Sequence, residues 1–346
     1  MSASSRPLDS DQLAAVELLR SARRFVLCGH MRPDGDCIGA QAALARVLES
    51  RGKDVWVINP DPPEGRFAYL SREVTYRAWT GGELPVHDVA VMLDFCEPQR
   101  LGALEAPLFA AGSKKLVVDH HVHAGTAFWD AAFVDVRAAA TGLLVRRIAR
   151  ALDAPLDRVA AEGVFTSIVT DTGWFKYSNT DAETLAVAAE MVELGVEPNR
   201  LYDALYQQRS REHPVHVGRL LARTDYLADA RLAVVAWPQA EVVESDLVDT
   251  DEVLDILRSV RSVEVVIFLR ELKTGHVKAS VRSKTEFDAQ ALCRQFGGGG
   301  HRKAAGATIA GNLDTVRPRV QAAALEVLGA LGALGLGAPS AAGRGG

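Results

Sequence analysis

Leu116-Val117-Val118-Asp119-His120-His121 is the stretch on which the reading of this chain turns. Three apolar residues in a row read as a buried strand. The strand ends abruptly in a carboxylate and two imidazoles. In an open α/β sheet, the carboxyl ends of strands are where binding sites are built. Two adjacent histidines cannot point the same way, so at most one is a direct metal ligand and the other has a second role. Standing alone, the stretch could equally be a polar strand end with solvated imidazoles. It does not stand alone, because three other segment ends carry the same kind of residue. The apolar run 25–28 leads into His30, Asp34 and Asp36. The run 89–93 ends in Asp94. A helical pattern over 156–169 ends in Thr170-Asp171-Thr172-Gly173.

Outward from these ends, strands alternate with helices. Helical patterns are expected over 9–23, 38–51, 141–152, 156–169 and 181–194, and strands over 25–28, 54–58, 89–93 and 116–118. This alternation predicts the α/β class, with a doubly wound, mostly parallel sheet in a domain over 1–195. A polar, mostly helical connector is expected over 196–228, and its His213 and His216 read as solvated. A smaller α/β domain is expected over 229–331. Its strands are 232–237, 263–269, 276–283 and 307–310, its helices 251–260, 288–296 and 313–331. The Gly/Ala-rich tail 332–346 reads as disordered.

The 346 residues suffice for two domains. A formal charge of −5 argues against a protein that coats long nucleic acid, which should be basic. Residues 1–11 lack a signal-peptide core, and no apolar run reaches membrane-span length, so a cytoplasmic protein with no membrane contact is expected. Cys28, Cys37, Cys96 and Cys293 show no CxxC pairing and read as reduced thiols.

Hard divalent cations want carboxylate oxygens, and imidazole tips the balance toward manganese or a similar metal. His30, Asp34 and Asp36 in one loop can serve two neighbouring cations. Asp94, from the next strand end, can bridge them, and His120 and Asp171 complete the second. Two cations about 3.5–4 Å apart suit in-line displacement at a phosphoryl group. Without cations, this many carboxylates in one place would repel each other strongly. Each piece has a plain structural reading as well: Pro33-Asp34-Gly35 makes a good turn, and Thr170–Gly173 can be a helix stop. Four such pieces, each at a segment end, favour a site. Farther on, Gly297-Gly298-Gly299-Gly300-His301 is either a flexible linker or an anion-binding nest of backbone N–H groups. Its position between a helix and a strand favours the nest, with Arg282 and Lys284 as cations for the same anion.

These residues carry a resemblance to a known family. Gly29 to Gly39, reading GHMRPDGDCIG, resembles the first motif of the DHH phosphoesterases. Asp94 with Arg100 resembles the second, Asp119-His120-His121 the third, and Asp171 in Thr-Asp-Thr-Gly the fourth. Val281-Arg282-Ser283-Lys284 and the stretch 296–306 resemble the first type of DHH-associated domain. Length and domain pairing look like the group of bifunctional nanoRNA oligoribonucleases and 3′-phosphoadenosine 5′-phosphate (pAp) phosphatases. The resemblance implies two divalent cations, manganese first, with magnesium or cobalt satisfying the same ligands. It puts one on His30, Asp34 and Asp94, and the other on Asp36, Asp94, His120 and Asp171. It implies that His121 contacts the scissile phosphate and Asp119 orients ligands, with Asp94, Asp119 and His121 as the catalytic set. It implies an active site in the cleft between domains, where Arg282, Lys284, Gly298, Gly299, Gly300, His301 and Arg100 bind substrate. The substrates would be short RNA, pApA-type dinucleotides and pAp, and the protein a homodimer. A RecJ-like single-strand exonuclease should be larger and more basic. A non-catalytic nucleotide sensor on the same fold should have lost ligands, and here all are present.

Overall fold

Strands buried on both faces read as continuous apolar runs, and here such runs form the middle of a parallel sheet. The computed structural model describes residues 7–123, 125–241 and 250–333. The chain divides into two units, up to residue 208 and from 209 onward.

In the first unit, β1 (Arg24–Cys28), β2 (Asp54–Asn59), β3 (Tyr76–Ala78), β4 (Val89–Leu93), β5 (Lys114–Asp119) and β6 (Ala131–Val134) form one sheet. Its order is β3-β2-β1-β4-β5-β6, and every neighbouring pair is parallel. This is the doubly wound α/β fold that the alternation predicts. Its order reverses between β1 and β4, so the connections leave these two strands in opposite directions and open a crevice at their carboxyl ends. The helices are α1 (Ser10–Ser21), α2 (Gly35–Ser50), α3 (Ala68–Ser71), α4 (Glu105–Ala110), α5 (Thr141–Ala151), α6 (Arg158–Asp171), α7 (Ala182–Glu193) and α8 (Pro198–Tyr206).

Helix α2 starts three residues earlier than expected, because Asp34 caps it by accepting from the N–H groups of Asp36 and Cys37, each at 3.1 Å. It is buried along most of its length and lies against α6. The close approach is written in two glycines. A Cβ at Gly39 would stand 2.3 Å from the Gly163 carbonyl oxygen, and one at Gly163 would stand 2.6 Å from that of Gly39. This contact sets the distance between Asp36 on α2 and Asp171 at the end of α6.

The second unit contains α9 (His213–Ala222), β7 (Asp225–Leu227), β8 (Leu232–Trp237), α10 (Thr250–Arg258), β9 (Val265–Glu271), β10 (His276–Ser283), α11 (Ala289–Arg294), β11 (Gly299–His301), β12 (Ala304–Ala310) and α12 (Leu313–Ala333). The sheet order is β11-β12-β10-β9-β8-β7, antiparallel except for β8 and β9. One apolar layer holds Phe287, Leu292, Val316 and Val320; the layer on the other side holds Trp237, Leu254, Leu257 and Phe268.

Several expectations are corrected. The stretch 196–228 is not mostly helical to its end, since 225–227 is strand β7. Ala228, Asp229 and Ala230 turn it back into β8 with φ of 53°, 53° and 59°, a hairpin without the usual glycine or asparagine signal. His213 is buried rather than solvated, with its Nε2 2.7 Å from Glu252 Oε2 on α10. Gly299 to His301 is a strand rather than a loop. Gly298 and Gly300 also answer to packing: a Cβ on either would meet β12 backbone, at 2.2 Å from the Gly306 oxygen and 2.6 Å from the Ala304 oxygen. Helix α12 runs on to Ala333, and the rest of the expected tail, 334–346, lies outside the described residues. All four cysteines are buried and unpaired. Among the described residues, no helix is long and apolar enough to cross a membrane.

Candidate metal centre

The crevice between β1 and β4 gathers the residues that the sequence singles out. His30 follows β1 after Gly29, Asp94 follows β4 directly, Asp119 ends β5, and His120 and His121 come next. Two sets, His30 with Asp34 and Asp94, and Asp36 with His120 and Asp171, each bring one ligand atom per residue to within 4.8 Å of the others.

Asp94 faces both sets. Its Oδ2 lies 3.5 Å from His30 Nε2, and its Oδ1 lies 3.6 Å from His120 Nε2. The residue is buried and has φ of 71°, a left-handed turn that ends β4 while its N–H still bonds Val118 O at 3.0 Å. Around His120 Nε2 stand Asp36 Oδ2 at 3.3 Å and Asp171 Oδ2 at 3.7 Å. Asp34 Oδ1 lies 3.9 Å from His30 Nε2.

Both imidazoles are oriented from behind. His30 Nδ1 donates to Met31 O at 2.9 Å, and His120 Nδ1 donates to Ala138 O at 3.1 Å. A carbonyl only accepts, so each Nδ1 carries a hydrogen and each Nε2 is the ring atom turned toward the carboxylates. The buried His120 Nε2 has no aligned hydrogen-bond partner although carboxylates surround it. An orphaned imidazole nitrogen in a ring of carboxylates fits a divalent cation.

The carboxylates are fixed too, by residues that the sequence gives no reason to single out. The backbone N–H of Thr141, at the start of α5, reaches both oxygens of Asp36 at 3.0 and 2.9 Å. Ser167 Oγ donates to Asp36 Oδ1 at 2.5 Å. Thr141 Oγ1 donates to Asp94 Oδ1 at 3.1 Å. Thr141 opens an expected helix and Ser167 lies inside another. Their partners are 105 and 131 residues away, which no local pattern signals.

The electrostatics of the metal-free chain show the strain of gathered charge. Burial, then the neighbouring Asp36, pushes Asp94 up to about 6 and Asp171 up to about 8. Burial also works against the charge on Asp36, but His120, Ser167 and the Thr141 N–H outweigh it and hold the carboxyl below its ordinary value. His120 is driven up to about 12: burial opposes the charge, and the Asp36 and Asp94 carboxylates overcome it. Protons occupy part of the role that cations would fill.

His121 belongs to a third group, with Asp94, Asp119 and His120, whose ligand atoms also lie within 4.8 Å of one another. Its ring lies 4.5 Å from that of His120, tilted by 57°, and it is partly exposed. Its Nδ1 donates to Asp119 Oδ1 at 2.8 Å. The Asp119 oxygens are taken up by this bond, by the N–H groups of His120 and His121 and by the Cys96 thiol. Both oxygens of Asp119 are thus bonded to groups of its own chain.

Arg100 lies in a 3-10 helix, Pro98–Leu104, and its carbonyl accepts from Met31 N–H at 2.7 Å. Its backbone thus ties the two ligand-bearing loops together. In the second unit, Arg282 Nη2 bonds Asp251 Oδ1 at 2.6 Å and Lys284 Nζ bonds Val260 O at 2.5 Å. Arg282, Ala304 and His301 are cross-strand partners in one row of β10, β12 and β11, with the small Ala304 between the two basic side chains.

Comparison with known proteins agrees with this geometry. Residues 24–194 match the DHH family N-terminal domain, and residues 241–329 match the DHHA1 domain. The chain is 35% identical over 304 residues to the bifunctional oligoribonuclease and PAP phosphatase NrnA of Thermus thermophilus, covering 86% of this chain and 88% of that one. It is 23% identical over 304 residues to the protein of the same name from Bacillus subtilis, covering 85% and 93%. The fold superposes on an exopolyphosphatase-related protein from Bacteroides fragilis with a TM-score of 0.80 at 23% identity, covering 93% and 97%. From its two matched domains and a relative aligned over most of both chains, this chain belongs to the DHH family.

Proposed function

We propose that this protein is a two-metal phosphoesterase that hydrolyses short RNA oligonucleotides and pApA-type dinucleotides to mononucleotides, and pAp to AMP. The observation that carries this reading is Asp94, whose two oxygens face His30 on one side and His120 on the other. In this reading, His30, Asp34 and Asp94 hold one cation, and Asp36, Asp94, His120 and Asp171 hold the second. Manganese is the first choice, given two imidazoles among carboxylates. When bound, such a pair supplies a nucleophile at neutral pH and neutralises charge on the phosphoryl oxygens. The Met31 and Ala138 carbonyls keep the ligand tautomers of His30 and His120. The Thr141 N–H and Ser167 hold Asp36 ionised and in place. His121, fixed through Nδ1 on Asp119, presents Nε2 to the phosphate. Arg282, Lys284 and the 298–301 hairpin are assigned to substrate binding, with Arg100 as a further cation. Names of the relatives support the substrate class: the Thermus thermophilus protein is named an oligoribonuclease and PAP phosphatase. The absence of a strongly basic charge suits short substrates.

The test is manganese-dependent turnover of a 5′-labelled RNA dinucleotide, a long RNA strand and pAp, side by side. Fast cleavage of the dinucleotide with slow attack on the long strand is expected, together with release of phosphate from pAp. Fast cleavage of the long strand, or no turnover of any of the three, overturns the reading.

A further inference from the structure

Asp119 has no exposed surface. Its two oxygens are held very differently. Oδ1 accepts three donors: the His121 ring Nδ1–H at 2.8 Å, and the backbone N–H groups of His120 at 2.7 Å and His121 at 3.2 Å. Oδ2 has one donor among the described residues, the Cys96 thiol at 2.7 Å. Cys96 is buried as well. Asp94 connects the two features. Its left-handed backbone turns the chain away from β4, and two residues later Cys96 meets the end of β5. One turn thus supplies both the shared metal ligand and the donor that closes off Asp119.

A buried carboxylate oxygen stripped of the one donor it has among the described residues is costly, and the group responds by rotating toward another. Rotation loosens the grip of Oδ1 on His121. We propose that Cys96 is a positioning residue for phosphoester hydrolysis, pinning Asp119 so that His121 keeps its hydrogen on Nδ1 and turns Nε2 to the substrate. The proposal rests on the hydrolase reading above and adds a residue to it. A thiol is a weak donor, so the hydroxyl of serine can replace it, whereas alanine and valine cannot.

Cys96→Ala is expected to lower kcat by about tenfold, in the lower range of effects seen for groups that orient a metal-site residue. KM for the dinucleotide and manganese affinity are expected to stay within about twofold of wild type. Cys96→Ser is expected to recover most of the lost kcat. A second measurement does not depend on turnover. In protein carrying 15N-labelled histidine, the His121 ring is expected in the Nδ1–H form in wild type and Cys96→Ser, and to lose that fixed form in Cys96→Ala. Unchanged kcat and unchanged His121 signals in Cys96→Ala overturn the proposal. So does a joint fall of kcat, manganese affinity and Tm that serine fails to rescue, because that pattern is simple loss of packing. If wild type turns over none of the nucleotides, the hydrolase reading fails by itself. The proposed catalytic role fails with it, while the labelled-histidine measurement still reports whether Cys96 fixes His121.

Discussion

The two units hold the side chains assigned to the site in opposite ways. Asp36, Asp94 and Asp119 in the first unit are almost fully buried, and their oxygens are bonded to groups of their own chain. In the second, His301 is exposed on the three-residue strand β11, and Arg282 near the end of β10 rests on the exposed Asp251. The first arrangement is rigid before any ligand arrives, because a buried charge must be matched in place. The second is a surface whose present partners can be exchanged for a phosphate. Groups assigned to the cations are pre-organised, and groups assigned to substrate binding are left adaptable.

The largest effect should come from the residue at the heart of the rigid set. In the two-metal reading, Asp94→Ala removes a ligand from both cation positions at once. Metal-dependent turnover should vanish, and calorimetric titration should show weaker manganese uptake. Turnover near the wild-type level would remove Asp94 as a shared ligand. Thr141→Val is the subtler break. It keeps the backbone N–H that serves Asp36 and deletes only the hydroxyl on Asp94. Manganese affinity should fall by about 10–100-fold, the range for such orienting partners. Helix packing can be tested apart from the ligands. In Gly39→Val, the new side chain meets the Gly163 carbonyl, which is backbone and cannot swing aside. Overpacking of this kind costs about 1–3 kcal/mol, readable as a lower midpoint in urea. An unchanged midpoint would mean that α2 and α6 separate freely.

Protons provide a graded version of the same test. Asp94 near 6 and Asp171 near 8 are carboxyls raised above their ordinary values, so the metal-free fold favours their protonated forms. A cation needs the ionised forms and must displace those protons. Manganese affinity should therefore rise with pH between 6 and 8, by about tenfold or more per unit. Titrations at three pH values in this window check the sign, and a flat profile would contradict it.

How far the sequence discloses all this depends on where each contact lies. The strands β1, β4, β5 and β8 are legible because both of their faces are buried, which leaves uninterrupted apolar runs. The ligands are legible because they stand where those runs stop. β3 and β6 are short, half-buried edge strands and carry no such pattern. β7 is hidden by a turn built from alanine and aspartate rather than glycine. Thr141, Ser167 and Cys96 are common residue types whose importance arises only from partners far along the chain. The glycine run shows the limit from the other side. Its composition suggests a loop for anions, but its register with β12 makes part of it a strand. Composition records that glycine is needed, not whether a ligand or a neighbouring backbone needs it.

The smallest effects should come from the adaptable surface, and their opposite signs make them informative. The Arg282–Asp251 pair is exposed on the aspartate side, so it adds only about 0–1 kcal/mol to stability. Neither Arg282→Ala nor Asp251→Ala should move Tm by much. If Arg282 binds a substrate phosphate, it must first leave Asp251. Arg282→Ala then raises KM for the dinucleotide by about tenfold, the loss of one charge-assisted hydrogen bond. Asp251→Ala removes the competitor and lowers KM by a few fold, in proportion to what the exposed pair was worth. Manganese affinity should be untouched in both, since the residues assigned to the cations all belong to the first unit. Raised KM in both variants would show that the pair acts as a fixed structural unit. Altered manganese affinity in either would break the division between a rigid centre and an adaptable surface.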